Sequence, residues 1–265
     1  MSPRRSLRAR LAAGERCYGT MAFEFFTPGL TALLAGCGCD FVILDMEHSG
    51  AGIDTIKRQI AYARGLPIEV WVRVPEKSYV AVATVLDAGA RGIMAPMLET
   101  PEEAGALVEW ARYRPQGRRG LAFGIGHDGY LGQDPVGTMA AANERNVLIA
   151  LIESRRGIDN AEAILATPGI DVGWLGHFDL TSDLGIPAAF GDPAFLTAVD
   201  RLVAAGARTG KPLGILDADP DLLRAFAGGG FRALGWASDL TALRTAMGLG
   251  IELLRGLPGG PSANG

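Results

Sequence analysis

Polar residues that could do chemistry cluster at the ends of four apolar runs, which are typical of buried β-strands. They are Asp45, Glu47 and His48 around the end of 41–46, Arg73 in 68–74, Glu153 at the end of 146–153, and Gly176, His177 and Asp179 after 172–176. Two carboxylates such as Glu153 and Asp179 suit a hard divalent cation that keeps positions open for the oxygens of a substrate acid. A nearby arginine can bind a carboxylate or oxyanion through parallel N–H groups. The residue types therefore predict metal-assisted chemistry on a small acid, with a structural salt bridge between Glu153 and Arg73 as the alternative.

The histidines differ in their sequence surroundings. His48 has Asp45 and Glu47 beside it, and a carboxylate next to an imidazole fixes its tautomer and raises its basicity, as a general base requires. We therefore predict a catalytic role for His48. His127 and His177 also fall in segments predicted as loops at the catalytic end of the fold, but for them a structural role is favoured.

The positions of the lysines and glycines argue against Schiff-base catalysis and against a phosphorylated substrate. Lys57 and Lys77 lie in helix-like segments and Lys211 precedes a strand, so none lies within a strand, where a Schiff-base aldolase needs its amine. The glycines at 228–230 precede the last predicted strand, which is the wrong end for a phosphate site in a barrel. A phosphorylated substrate is therefore disfavoured.

Strand-like and helix-like segments alternate along the whole chain. The predicted strands span residues 16–23, 41–46, 68–74, 92–96, 146–153, 172–176, 212–216 and 231–236. The predicted helices span residues 52–65, 77–89, 100–113, 160–167, 193–209, 219–228 and 239–254. Near-continuous apolar strands indicate a parallel sheet buried on both faces, and eight of them predict a single-domain (β/α)8 barrel over residues 1–256, with the catalytic groups at the C-terminal ends of its strands.

Two segments fall outside this alternation. The glycine-rich segment 114–145 is predicted to be one long irregular connection, which in a compact barrel often serves as an active-site loop. The Pro/Gly/Ser-rich tail 257–265 is predicted to be disordered.

Composition limits the partners and the location that we expect for the protein. The net charge of −4 argues against nucleic acid as a partner. No run reaches the roughly 18 apolar residues of a membrane helix, so no membrane association is expected. Cys17, Cys37 and Cys39 lack the companions of a zinc site and are predicted to be reduced thiols, which suggests a cytoplasmic location.

Seven segments together resemble one known family, the HpcH/HpaI aldolases. They are 40–48 (DFVILDMEH), 72–75 (VRVP), 86–97 (LDAGARGIMAPM), 99–104 (ETPEEA), 113–120 (YRPQGRRG), 152–154 (IES) and 175–180 (LGHFDL). The chain resembles these class II pyruvate aldolases of the phosphoenolpyruvate/pyruvate barrel superfamily from about residue 19 to residue 239. The order and spacing of the segments make the resemblance specific.

The resemblance implies a role for each candidate residue. Glu153 and Asp179 would bind a divalent cation (Mg²⁺, Mn²⁺ or Co²⁺), and Arg73 would bind the oxo-acid oxygen. His48, oriented by Asp45, would transfer protons. Backbone near Gly176 would receive the substrate carboxylate, with His177 as a further substrate contact. The resemblance also implies a homo-oligomer, commonly a hexamer built from dimers that exchange their last helix.

The predicted function is cleavage of a 4-hydroxy-2-oxo acid to pyruvate, or a pyruvate analogue, plus an aldehyde, through a metal-stabilised enolate. An oxaloacetate-type decarboxylase and a non-catalytic oxo-acid-binding barrel remain alternatives. The chain departs from the family pattern at Leu151, where a glutamine is common, and at His177, where a proline is common. The stretch 121–143 lacks a usual arginine and contains His127 and Asp128 instead. These departures predict that the pyruvate half of the site follows the family pattern and that the aldehyde half differs from it.

Overall fold

A computed structural model describes residues 5–257, in which eight parallel strands close into a barrel in chain order. The strands are β1 (Cys17–Ala22), β2 (Phe41–Asp45), β3 (Glu69–Arg73), β4 (Gly92–Ala95), β5 (Val147–Ile152), β6 (Val172–Leu175), β7 (Leu213–Asp217) and β8 (Phe231–Ser238). Each strand pairs with the next, and β8 pairs with β1. The predicted (β/α)8 fold is therefore confirmed.

Helices surround this barrel, and α1 precedes it. They are α1 (Leu7–Ala12), α2 (Leu30–Gly36), α3 (Ile53–Tyr62), α4 (Tyr79–Ala88), α5 (Pro101–Ala111), α6 (Pro135–Arg145), α7 (Arg155–Asp159), α8 (Ala161–Ala166), α9 (His177–Asp183), α10 (Pro193–Thr209), α11 (Pro220–Gly228) and α12 (Asp239–Arg255). None of the helices in residues 5–257 has the length and apolar character needed to cross a bilayer.

The inside of the barrel is filled by every second side chain of the strands, because successive side chains of a strand point to opposite faces. Phe41 and Trp71 stack with ring centroids 4.3 Å apart, and Trp174 meets Phe41 edge-on at 6.2 Å. Leu7 and Leu11 of α1 belong to the same buried cluster and close the N-terminal end of the barrel. The interior of the barrel is thus a packed core.

The structure corrects the predicted elements that follow β1 in four places. Helices α2, α7 and α9 are absent from the predicted set, and α6 occupies residues that were predicted to be irregular. The segment 114–134 follows a helix and leads to α6 and β5, so it lies at the N-terminal end of the barrel, where Gly126 packs against the end of α4. The segment 114–145 therefore does not lie at the catalytic end of its own barrel, where the prediction of an active-site loop placed it. Apart from Leu257, the predicted tail 257–265 lies outside the described residues.

Candidate active site

Side chains alternate between the two faces of each strand, and the row that points into the barrel ends with the predicted residues at its C-terminal mouth. The interior positions Phe41 and Ile43 of β2 lead to Asp45, and Trp71 of β3 leads to Arg73 in the same way. Asp45 and Arg73 are register partners across the β2–β3 pair. Leu151 of β5 is likewise an interior residue, so Glu153 continues that row beyond the end of the strand.

Arg73 is held by two carboxylates. Its Nε lies 2.6 Å from Oδ1 of Asp45 and 3.2 Å from Oε2 of Glu47, and Asp45 is completely buried. The guanidinium also lies 5.8 Å from the ring centroid of Phe23. The terminal nitrogens of Arg73 make no hydrogen bond with any residue in the described range 5–257. The arginine is therefore fixed by its Nε and can present two N–H groups to a ligand.

His48 lies at the edge of the mouth, with its side chain 57% exposed. Asp45 accepts a hydrogen bond from the backbone N–H of His48 at 2.8 Å, so it orients the chain there, not the ring. The carboxylate nearest the imidazole is that of Glu47, whose Oε2 lies 3.7 Å from Nε2. The expectation that Asp45 orients the ring of His48 is therefore corrected. The buried Asp45 carboxylate binds Arg73 and the backbone of His48, and it makes no hydrogen bond with the ring.

Glu153 is almost fully buried where β5 meets the mouth. Its Oε1 accepts the backbone N–H of Met97 at 2.7 Å. Gly176 makes room for this carboxylate, because a Cβ on Gly176 would lie 2.5 Å from both Cβ and Oε2 of Glu153. A side chain at position 176 would therefore displace Glu153.

Carboxylates surround Glu153. Burial is the main cause that raises the pKa of Glu153 to about 7, and the negative charges of Asp179 and Glu47 raise it further, against the N–H of Met97 and the charge of Arg73. Burial also raises the pKa of Glu47, again with a contribution from Asp179. The mouth therefore concentrates negative charge that Arg73 balances only in part.

A divalent cation fits this set of donors. Carboxylates that raise one another's pKa are stabilised when a cation lies between them. Within residues 5–257, no three His, Cys, Asp or Glu side chains are grouped to hold a metal ion by themselves. Glu153 and the exposed Asp179 of α9 would supply two ligands and leave the other positions to substrate or water, as is usual for Mg²⁺.

Gly176 and His177 are already engaged within the protein. The N–H of Gly176 donates to the carbonyl of Ile152 at 3.1 Å. The imidazole of His177 is buried, with Nε2 2.7 Å from Oδ2 of Asp217 at the end of β7. Burial lowers the pKa of His177, although Asp217 acts in the opposite direction. This contact between the start of α9 and the end of β7 gives the ring a structural role, and substrate binding by His177 stays a prediction.

Two other residues lie elsewhere than predicted. His127 is buried at the N-terminal end of the barrel, with Nε2 2.6 Å from the carbonyl of Ala122, so its predicted place at the catalytic end is wrong. Lys77 precedes α4 and lies in the loop after β3, on the catalytic side. It was predicted to lie in a helix and is instead part of this loop, outside the strands. Its Nζ donates to the carbonyl of Met97 and to Glu103.

The contacts of two carboxylates were not predicted from the sequence, although Glu47 was named there beside His48. Glu47 contacts both Arg73 and His48, and a signal for it was present, because it lies two residues after Asp45 and therefore on the same side of an extended chain. Asp217 had no such signal, because its partner His177 is 40 residues away in sequence.

Comparisons with known proteins agree with this geometry. Residues 23–246 match the HpcH/HpaI aldolase/citrate lyase family. The chain is 36% identical over 229 residues to the 4-hydroxy-2-oxovalerate aldolase of Novosphingobium aromaticivorans, which covers 86% of each protein. It is 34% identical over 246 residues to the hydroxypyruvate/pyruvate aldolase of Chromohalobacter salexigens, covering 92% of this chain and 95% of that protein.

A solved structure extends the agreement to the fold. The HpcH/HpaI aldolase from Desulfitobacterium hafniense DCB-2 superposes with a TM-score of 0.91 at 27% identity, covering 97% of this chain and 100% of that one. The prediction of an aldolase family made from the sequence segments is thereby confirmed. The chain belongs to the HpcH/HpaI aldolase/citrate lyase family.

Proposed function

We propose that the chain is a divalent-metal-dependent aldolase that cleaves a 4-hydroxy-2-oxo acid into pyruvate, or a close analogue, and an aldehyde. The observation that carries the proposal is Arg73, which is held at Nε by Asp45 and Glu47 and whose terminal nitrogens make no hydrogen bond within residues 5–257. This arrangement suits a substrate with a carboxylate or a developing oxyanion. The names of the two relatives, both aldolases of 2-oxo acids, support the same substrate class.

Cleavage between C3 and C4 of such an acid removes the proton of the 4-hydroxyl group and leaves negative charge on the 2-oxo oxygen. The imidazole of His48 is exposed at the mouth and can accept that proton, directly or through a water molecule. Arg73 donates to the oxygen on which charge develops. A preorganised donor of this kind contributes on the order of 3 kcal/mol to the stability of the transition state.

Glu153 and Asp179 would hold the cation, which we propose to be Mg²⁺, Mn²⁺ or Co²⁺. When bound, it would supply positive charge to the oxygens of the 2-oxo acid. Glu153 is positioned for this by the N–H of Met97 and by the space that Gly176 leaves. The narrow, packed interior of the barrel below Leu151 keeps the substrate at the mouth.

Proton exchange of pyruvate tests the proposal. Loss of the methyl proton signal of pyruvate in D₂O is followed by NMR with each of the three cations and with a chelator. We expect metal-dependent exchange that is abolished in Arg73→Ala and retained in Arg58→Ala, which removes an exposed arginine of α3. Absence of exchange with every cation would refute the pyruvate mechanism.

Replacement of His48 separates aldol cleavage from decarboxylation. In His48→Ala we expect aldol cleavage to fall by roughly 100-fold or more, because a general base contributes that much. Decarboxylation of oxaloacetate requires no base for a hydroxyl group and should change little. A barrel that only binds oxo acids would be stabilised by pyruvate and would turn over neither substrate.

We further propose that the protein is a homo-oligomer in which α12 packs on a second copy of the chain. None of the residues of α12 is buried, and its exposed apolar side chains include Leu243, Met247, Leu249, Leu253 and Leu254. An apolar cavity of about 530 Å³ lies at its base, between α2, β1 and β8. An uncovered apolar surface of this kind is typical of an interface between subunits.

Light scattering after gel filtration tests the oligomer. We expect an assembly larger than 27.8 kDa for the unchanged protein and a smaller species for Leu253→Glu. A monomeric unchanged protein would refute the proposal.

We also propose a cytoplasmic location, because the thiols of Cys17, Cys37 and Cys39 are all free, as expected in a reducing compartment.

A further inference from the structure

The loop between β3 and α4 brings an ammonium group to the wall of the candidate site. Nζ of Lys77 lies 2.6 Å from the carbonyl oxygen of Met97 and 2.6 Å from Oε1 of Glu103. Glu103 is itself fixed in the first turn of α5, where its Oε2 accepts the backbone N–H of Glu99 at 2.8 Å. The position of Lys77 is therefore set in part by the first turn of α5.

Met97 has an unusual backbone conformation. Its φ of 51° lies in the left-handed region, which residues other than glycine seldom adopt without support from their surroundings. In this conformation its N–H donates to Oε1 of Glu153 at 2.7 Å, and its carbonyl accepts from Lys77. The next residue, Leu98, donates its N–H to the carbonyl of Leu151 in β5 at 3.0 Å. The strained residue thus lies directly between Lys77 and Glu153.

We propose that Lys77 is a positioning residue that sets metal affinity through the backbone of Met97. The N–H and the carbonyl of Met97 flank its Cα, so their two hydrogen bonds together hold both backbone dihedrals. Without the ammonium group, Met97 can relax toward an extended conformation, which turns its N–H away from Glu153. The carboxylate then loses the donor that orients it in the mouth. The inference rests on the proposed function, because Glu153 is assigned there as a metal ligand.

Binding of Mn²⁺ to the metal-free protein, measured by the EPR signal of the free ion, tests the inference without turnover. In Lys77→Met, which keeps the length of the side chain and removes its charge, we expect affinity to fall about tenfold, as for other residues that orient a metal ligand. Lys57→Met removes an exposed lysine of α3 and should leave affinity unchanged. Circular dichroism establishes that each variant is folded.

A second substitution separates positioning from general stability. Glycine adopts a positive φ without strain, so Met97→Gly should retain affinity by itself and should restore most of the affinity in the Lys77→Met background. Restoration supports the inference, and a double variant as weak as Lys77→Met overturns it. Glu153→Gln is the reference. If Glu153→Gln leaves Mn²⁺ affinity unchanged, the metal site itself is wrong. If it abolishes binding while Lys77→Met changes nothing, only the positioning role is refuted.

Discussion

The ionisation of Glu153 should be visible in the stability of the metal-free protein. Its pKa is raised to about 7, against 4.5 for an ordinary glutamate, mainly because the side chain is buried. The folded protein therefore binds more protons than the unfolded chain between these two pH values, and its stability falls as the pH rises through them. At about 1.4 kcal/mol per pH unit, ionisation of this single carboxyl should lower the free energy of unfolding by about 3 kcal/mol.

Glu153→Gln isolates this contribution, because the amide keeps an acceptor for the N–H of Met97 and cannot ionise. Urea unfolding is measured near pH 5 and near pH 8, with a chelator present. Because this glutamate is already partly ionised in the unfolded chain near pH 5, the unchanged protein should lose about 2.5 kcal/mol more than the variant between these two conditions. Glu162→Gln, which alters an exposed glutamate of α8, should behave like the unchanged protein.

Addition of Mn²⁺ near pH 8 completes the experiment. A cation that binds only the folded state adds stability by mass action, so the unchanged protein should regain what ionisation removed. Glu153→Gln should gain little, because it lacks one of the two carboxylate ligands. If both proteins lose the same stability between the two pH values, Glu153 ionises normally, and the argument that the mouth of the barrel requires a cation fails.

Three further predictions follow from single contacts. Asp45→Asn weakens the hold on Nε of Arg73, so kcat/KM for aldol cleavage should fall about 100-fold with an unchanged circular dichroism spectrum; a loss below threefold would contradict this. Gly176→Ala places a Cβ 2.5 Å from the Glu153 side chain, so Mn²⁺ affinity measured by EPR should fall at least about tenfold, whereas unaltered affinity would show that Glu153 can move aside. Trp71→Ala empties the barrel interior and should cost about 3–5 kcal/mol in urea unfolding, and a cost near zero would mean that the stack on Phe41 is dispensable.

The positions of the main catalytic candidates could be predicted because they depend on a local rule. A buried parallel strand is an apolar run, and its alternation continues for a residue or two beyond its end. Asp45, Arg73 and Glu153 each stand on the interior side of such a run, so their convergence follows once eight strands close into a barrel.

The errors arose where local pattern is weak. Leu30–Gly36 forms α2 although it is short and flanked by glycines, and Pro135–Arg145 forms α6 although it carries few large apolar residues. His127 was assigned to the catalytic end, although a segment between a helix and the following strand lies at the opposite end of a barrel. The order of helix and strand predicts the correct end of the barrel for His127, whereas the glycine content of the segment suggested an active-site loop.

By itself, the sequence determined the strands, the family and the residues whose side chains reach the mouth, because each depends on neighbours along the chain. Tertiary structure alone decided the partners of those side chains. Asp45 binds Arg73, and the carboxylate nearest the ring of His48 is that of Glu47. His177 pairs with Asp217. Met97 accepts a hydrogen bond from Lys77 and donates one to Glu153. These contacts join different strands and loops, and their distances are set by closure of the barrel and by the burial that accompanies it.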